Sequence, residues 1–197
     1  MPPLAEALLV LAVAVPLGLW QSAFWLLVPF AVIYFDRRSF DEYAVRWELG
    51  GWRFNAITAA VILGGYAIGH YLFGRLIQGA IFHPTLPPQF AWLAYHEVVD
   101  VALPEEFFFR AYLQTTLNRA WGRPFRLFGA RWGWGLPISA LIFALCHLFY
   151  GDLMQLKVVF FALFAGWLRE RTNSIAGPVL YHAAGNILLY SMVASFA

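Results

Sequence analysis

Charge is scarce in this chain. Asp, Glu, Lys and Arg together make up 12% of its 197 residues, about half the share of a soluble domain, so a water-facing globule could not cover itself with polar side chains. Cysteine is nearly absent: Cys146 stands alone, which excludes an intramolecular disulfide and a Cys-rich metal site. Lysine occurs once, at Lys157, and the 12 arginines fall in short clusters rather than along one stripe. With a net charge of +2, that pattern excludes nucleic acid as a partner. No repeat, low-complexity run or flexible linker divides the chain. What fills it is apolar: 61% hydrophobic residues, 19% aromatic, nine of them tryptophan. The expected fold is all-α, a polytopic transmembrane helical bundle of about six membrane-spanning segments, forming a single integral-membrane domain over residues 1–197.

Six apolar stretches carry this expectation. The first, Leu4 to Phe35, contains only Glu6 as a charge and reads as one long span kinked at Pro16 and Pro29. It lacks a preceding Lys or Arg and outlasts a signal-peptide core, so it is expected to stay in the mature protein. In the second, Phe54 to Phe82, Gly64, Gly65, Gly69 and Gly74 are expected to let neighbouring helices approach. The third, Gln89 to Trp121, is semi-apolar, and Pro104 is expected to end an entering segment and open a new helix. Gly133 to Tyr150, Leu153 to Leu168 and Ser174 to Ala197 complete the set. Arginines occupy alternate connections: Arg37, Arg38, Arg46 and Arg53, then Arg119, Arg123, Arg126 and Arg131, then Arg169 and Arg171. Positive residues collect in cytoplasmic loops, so the expected path crosses six times with both termini outside, in a bacterial or archaeal cell (inner) membrane.

Ionisable groups at membrane depth mark a site, a proton path or a buried pair. Three groups qualify. In Pro104-Glu105-Glu106-Phe-Phe-Phe-Arg110, Glu106 and Arg110 are four apart and face one another on a helix, whereas Glu105 points about 100° away and stays free for chemistry. A helix opening at Pro104 would also place both carboxylates in its first turn, where the dipole favours negative charge. Phe143-Ala-Leu-Cys-His147 puts a ring and an imidazole on one face, and His182-Ala-Ala-Gly-Asn186 does the same for an imidazole and a carboxamide. Measured along helices from the interfacial Arg119, Arg131 and Arg171, Glu105, His147 and His182 lie about 21, 24 and 16 Å from one membrane face, so they can share a layer.

A carboxylate, two imidazoles and an amide in a dry site suit peptide-bond hydrolysis by an activated water. Glu105 and His147 read as the general-base pair, and His182 and Asn186 as donors to the oxyanion of the tetrahedral intermediate. No cofactor is expected. The alternative is zinc held by Glu105, His147 and His182, although the spacing matches no His-Glu-x-x-His signature.

Glu-Glu-x-x-x-Arg at 105–110, Phe-x-x-x-His at 143–147 and His-x-x-x-Asn at 182–186, in that order on a small multi-span protein, resemble the CPBP (Abi) family of intramembrane proteases. That family comprises CaaX prenyl-protein endoproteases and bacteriocin-processing relatives. The resemblance covers residues 104–186 within a motif-bearing core at 90–197, and the two N-terminal stretches match nothing specific. It implies a glutamic-type endopeptidase in which Glu105 and His147 activate water, His182 and Asn186 hold the oxyanion, and Glu106 and Arg110 brace the site. The expected partners are the lipid bilayer and a membrane-anchored protein or peptide substrate. The site lies nearer the face opposite the arginines, so the expected substrates are C-terminal sorting tails or related peptides of exported proteins. A CaaX-type prenyl-protein endoprotease is the alternative, and a non-enzymatic transport or immunity partner the competing class.

The remaining polar and aromatic features read as structural. Cys146 is expected to be a buried, inert thiol. His70, Arg75, His96, Glu97 and Asp100 are expected to line an access path or form pairs. The tryptophans and the Phe107–Phe109 run are expected at the lipid or its interface. Phe143 is read either as pocket wall or as core filler.

Overall fold

The computed structural model describes residues 1–196, so Ala197, the last residue of the sixth stretch, lies outside them. The described chain is helical: α1 (Pro3–Trp20), α2 (Ala23–Phe35), α3 (Trp52–Ile77), α4 (residues 90–121), α5 (Gly135–His147), α6 (Val158–Thr172) and α7 (Ala176–Ser195). Two of these, α1 and α3, are long and apolar enough to cross a membrane, while Ala23–Phe35 and Gly135–Tyr150 are apolar but shorter. The strands among the described residues form a hairpin of β1 (Phe125–Leu127) and β2 (Ala130–Trp132), paired antiparallel with Arg126 opposite Arg131. Its turn residues Phe128 and Gly129 both have positive φ, 43° and 82°, the backbone that tight hairpin turns demand.

The first stretch is not one kinked span. Both prolines sit inside helices, and the chain reverses instead at Gln21, whose backbone is extended (φ −147°, ψ 118°). Tight closure depends on Gly18: a Cβ there would lie 2.3 Å from the Trp25 ring. At the other end of the hairpin, Arg38 grips Glu6 through two hydrogen bonds of 2.7 and 2.8 Å, and Tyr112 of α4 donates a third at 2.7 Å. In lipid there is no hydrophobic drive between helices, so packing and such polar ties hold the elements together. Trp25 and the run Phe107, Phe108 and Phe109 form this packed centre rather than a lipid-facing belt. All four are buried, with Trp25 ring centroids 4.9 and 5.1 Å from Phe108 and Phe109. Six other tryptophans, among them Trp20, Trp52 and Trp92, are exposed as anchors would be.

Helix α4 overturns a second expectation. Pro104 does not open a helix but lies inside one that runs unbroken through 90–121. The residues before it, Glu97–Ala102, form a π-turn, and widening the backbone there accommodates a ring that an ordinary turn would clash with. Glu105 and Glu106 are consequently mid-helix, and no helix N-terminus faces them. A second π-turn follows at Phe107–Leu113.

Side-chain ties fix how the helices run. Helices α4 and α7 are antiparallel, with His182 beside Glu106 and Asn186 beside Glu97. Helix α5 starts where α4 ends, Gly135 N–H donating to Asn118 at 3.1 Å. The C-terminal end of α6 also meets the end of α4. There Glu170 accepts from Gln114, Asn118 and Arg123 at 2.8, 2.9 and 3.0 Å. Arg169, expected in a loop, is instead a buried residue of α6 bonded to Thr115. Helix α3 is peripheral and lies along α7, where Tyr181 donates to the Asn55 carbonyl at 2.9 Å and Gly74 meets the Phe196 ring. The close helix approach expected at Gly64, Gly65 and Gly69 is absent: a Cβ at any of them would meet nothing within 4 Å.

Candidate active site

The three polar motifs meet between α4, α5 and α7. On α4, Glu106 and Arg110 approach at 3.0 Å (Oε2 to Nε), with side chains 0% and 1% exposed. The contact lacks hydrogen-bond alignment, and the Arg110 nitrogens have no hydrogen-bond partner among the described residues. Part of what steadies the guanidinium is aromatic: Cζ lies 4.6 Å from the Phe143 ring centroid on α5, a cation–π distance.

Glu106 has a second partner. Its Oε1 is 2.9 Å from His182 Nδ1 on α7. A carboxylate beside a guanidinium is an acceptor, so Nδ1 carries the proton and donates. That bond orients the imidazole and turns Nε2 toward Glu105, whose Oε2 lies 3.8 Å away. The separation is too long for a hydrogen bond but within reach of charge. Glu105 Oε2 is buried with no hydrogen-bond partner among the described residues.

His147 sits opposite on α5. Its Nδ1 is 2.9 Å from the Phe143 carbonyl, an oxygen that only accepts, so Nδ1 holds the proton and Nε2 keeps its lone pair. Phe143 is the shared wall: its ring lies 4.4 Å from the His147 ring and 5.9 Å from that of His182, and it is 1% exposed. It fills the core and shapes the pocket at once. Phe161 of α6 closes another side, 5.2 Å from the His182 ring.

The structure therefore brings Glu105, Glu106, Arg110, Phe143, His147 and His182 together, with differences from the expected pairing. The carboxylate of Glu105 faces His182 rather than His147, with which no hydrogen bond or ion pair is formed among the described residues. Asn186 spends one N–H on Glu97, at 2.8 Å. Glu97 is 3% exposed, and sequence reasoning left it among the structural polar groups. The signal that could have found it was an acid two helical turns before Glu105, near the same face of the helix. His96 and Asp100, four apart, pair at 3.1 Å on the surface. His70 bonds the Tyr66 carbonyl, Arg75 the Ala80 carbonyl, and Cys146 is buried.

Zinc was the alternative for Glu105, His147 and His182. Among the described residues no three His, Cys, Asp or Glu side chains converge as a metal cage. The Nδ1 of each histidine is held by an oxygen of the protein, which leaves each Nε2 directed into the site.

A family model described as Type II CAAX prenyl endopeptidase Rce1-like matches residues 87–188, more than half of the chain. The matched segment begins just before α4 and ends past Asn186, so it contains every residue of the site. No curated protein and no solved structure matches the chain.

Proposed function

The chain belongs to the Rce1-like family of type II CAAX prenyl endopeptidases, and from that premise we propose that it is a multi-pass intramembrane endopeptidase of the glutamic type. In this reading Glu105 is the general base. The observation that carries it is the asymmetry of the two adjacent carboxylates: Glu106 is tied to Arg110 and His182, whereas Glu105 has a buried, unbonded oxygen facing an imidazole at 3.8 Å.

Glu105 takes a proton from water while His147 Nε2 accepts the water's other hydrogen as a hydrogen bond and so orients it. The water oxygen bonds to the scissile carbonyl carbon, and the carbonyl electrons move to oxygen. His182, protonated on both ring nitrogens in this scheme, donates Nε2–H to that oxyanion, and the second N–H of Asn186 donates beside it. The proton held by Glu105 passes to the amide nitrogen, the C–N bond breaks, and a carboxylic acid and an amine leave. Arg110 holds Glu106, and the Glu106 carboxylate in turn accepts Nδ1–H of His182 and favours the protonated ring with its Nε2–H directed into the site.

The substrate proposed is a C-terminal tail held in the bilayer on an exported protein. Support comes from a groove of about 620 Å³ between the C-terminal parts of α3 and α7, lined by His70, Phe73, Lys157, Leu189, Met192 and Phe196. Leu189 lies one turn past Asn186, and Lys157 one turn before Phe161. The groove can take an apolar segment, and the chain's single lysine can meet an acidic group on it. A prenylated CaaX tail is the second reading, favoured by the description of the matching family.

The test is cleavage by purified protein in detergent of two peptide sets, unmodified membrane-anchored tails and farnesylated CaaX peptides. Wild type is run beside Glu105→Gln, each with and without a strong chelator. Cleavage lost in the variant and indifferent to chelator is the expected result. Loss to the chelator would return zinc to the site, and cleavage of farnesylated peptides alone would select the second substrate.

A further inference from the structure

Glu97 is a buried acid that the hydrolytic scheme does not use. Its 3% exposure and its 2.8 Å bond to Asn186 Nδ2 give it a partner, and the partner belongs to the site. We propose that Glu97 is a positioning residue that fixes the orientation of the Asn186 carboxamide, and through it the oxyanion pocket. This rests on the reading of Asn186 as an oxyanion donor.

The chemistry is that of a two-faced group. A carboxamide presents an acceptor on one side and two N–H donors on the other, and rotation about its last bond by half a turn exchanges them. An ionised carboxylate only accepts, so Glu97 admits the NH₂ side and rejects the carbonyl. With one N–H held by Glu97, the second is left to donate. Without Glu97 the amide can turn its carbonyl oxygen toward the developing oxyanion, which would repel it. Asn186 is one turn from His182 on α7, so the free N–H and His182 Nε2 act from one face.

The fold supplies the means. Residues 97 and 105 are eight apart, which on a regular helix sets them about 80° apart around the axis. The π-turn at Glu97–Ala102 takes up one extra residue and brings the separation to about 20°. Glu97 then stands on the face that carries Glu105, two turns away along α4, opposite the next turn of α7. The same π-turn that admits Pro104 therefore aims Glu97 at Asn186.

Three variants in the tail-cleavage assay test this. Glu97→Ala is expected to lower kcat roughly 10- to 100-fold with KM changed less than about threefold, short of the roughly 100- to 1,000-fold that losing one oxyanion donor costs. Glu97→Gln can accept from the amide but can also donate to its carbonyl, so it is expected to fall between wild type and Glu97→Ala in kcat. Against an Asn186→Ala background, Glu97→Ala is expected to add no further loss, because the residue it positions is gone. An equal loss in both backgrounds would make Glu97 merely structural and overturn the proposal, as would full kcat in Glu97→Ala. A second measurement is independent of turnover: the side-chain amide resonance of Asn186 in ¹⁵N-asparagine-labelled protein, identified by its loss in Asn186→Ala. It should move in Glu97→Ala, and by a smaller amount in Glu97→Gln. An unmoved resonance would show that the pair does not form. A moved resonance in a protein that cleaves no tail would sink the protease reading and the positioning role with it, since no oxyanion would be left to serve.

Discussion

Glu105 and Glu106 are neighbours in the chain and opposites in chemistry, and the difference follows from which face each presents. Glu106 looks along its own helix to Arg110 and across to His182; Glu105 is turned by one residue and is left with His182 at 3.8 Å. Glu105→Gln preserves shape and removes only the proton acceptor, so it is expected to cut kcat by about 1,000-fold or more with an unchanged melting temperature. Retained activity would remove the general-base role. Arg110→Ala has the reverse signature. It leaves Glu106 charged at 0% side-chain exposure, a loss of roughly 3–5 kcal/mol when one partner of a buried pair is removed, read as a lower denaturation midpoint. Adding Glu106→Gln to Arg110→Ala should recover part of that stability but no activity, since His182 would lose the carboxylate that holds it. Four-residue spacing made the Glu106–Arg110 pair legible in the sequence. The Glu106–His182 and Glu97–Asn186 contacts were not, because each joins elements more than seventy residues apart in the chain and no local period encodes them.

At the scale of elements, the apolar stretches and their order could be read from composition, but their breaks could not. Pro104 was taken to end one segment and open another, yet it lies within a helix, and the break in the first stretch falls between Pro16 and Pro29 rather than at either. The reversal at Gln21 is instead marked by a small residue meeting a large one, Gly18 against Trp25. Hydropathy also ranks aromatic residues by their affinity for lipid and cannot see that Phe108 and Trp25 have each other. Gly18→Val tests this reading of the hairpin: overpacking against Trp25 is expected to cost about 1–3 kcal/mol, and Trp25→Ala in the same chain should relieve much of it. Gly65→Val, where a Cβ meets nothing within 4 Å, should leave the melting temperature within about 1 °C of wild type. The comparison separates a glycine needed for closure from one that only resembles a packing motif.

For the whole molecule, the hairpin changes the side on which the chain begins. Replacing one kinked span by α1 and α2 adds a crossing before the first arginine cluster, and Glu6 near the start of α1 then lies at the same end as Arg38. That end also gathers Arg119 beside Glu42 and Tyr43, Arg123 beside Glu170, and the Arg46 carbonyl beside Ser174. In the multi-pass reading proposed above, the positive-inside rule makes that end cytoplasmic. Seven crossings alternating in direction would then put the N-terminus inside and the C-terminus outside. Glu105, 14 residues up α4 from Arg119, stands about 21 Å from the arginine face, past the middle of a core roughly 30 Å thick. An outward site suits an exported tail, whereas a cytosolic prenylated tail would have to reach through most of the bundle. Fusions of a fluorescent protein and of alkaline phosphatase to each terminus decide the matter. Fluorescence is expected only from the N-terminal fusion and phosphatase activity only from the C-terminal one. Phosphatase activity from the N-terminal fusion and fluorescence from the C-terminal one would turn the whole bundle over, bring the site nearer the cytosol, and make the prenylated tail the better substrate.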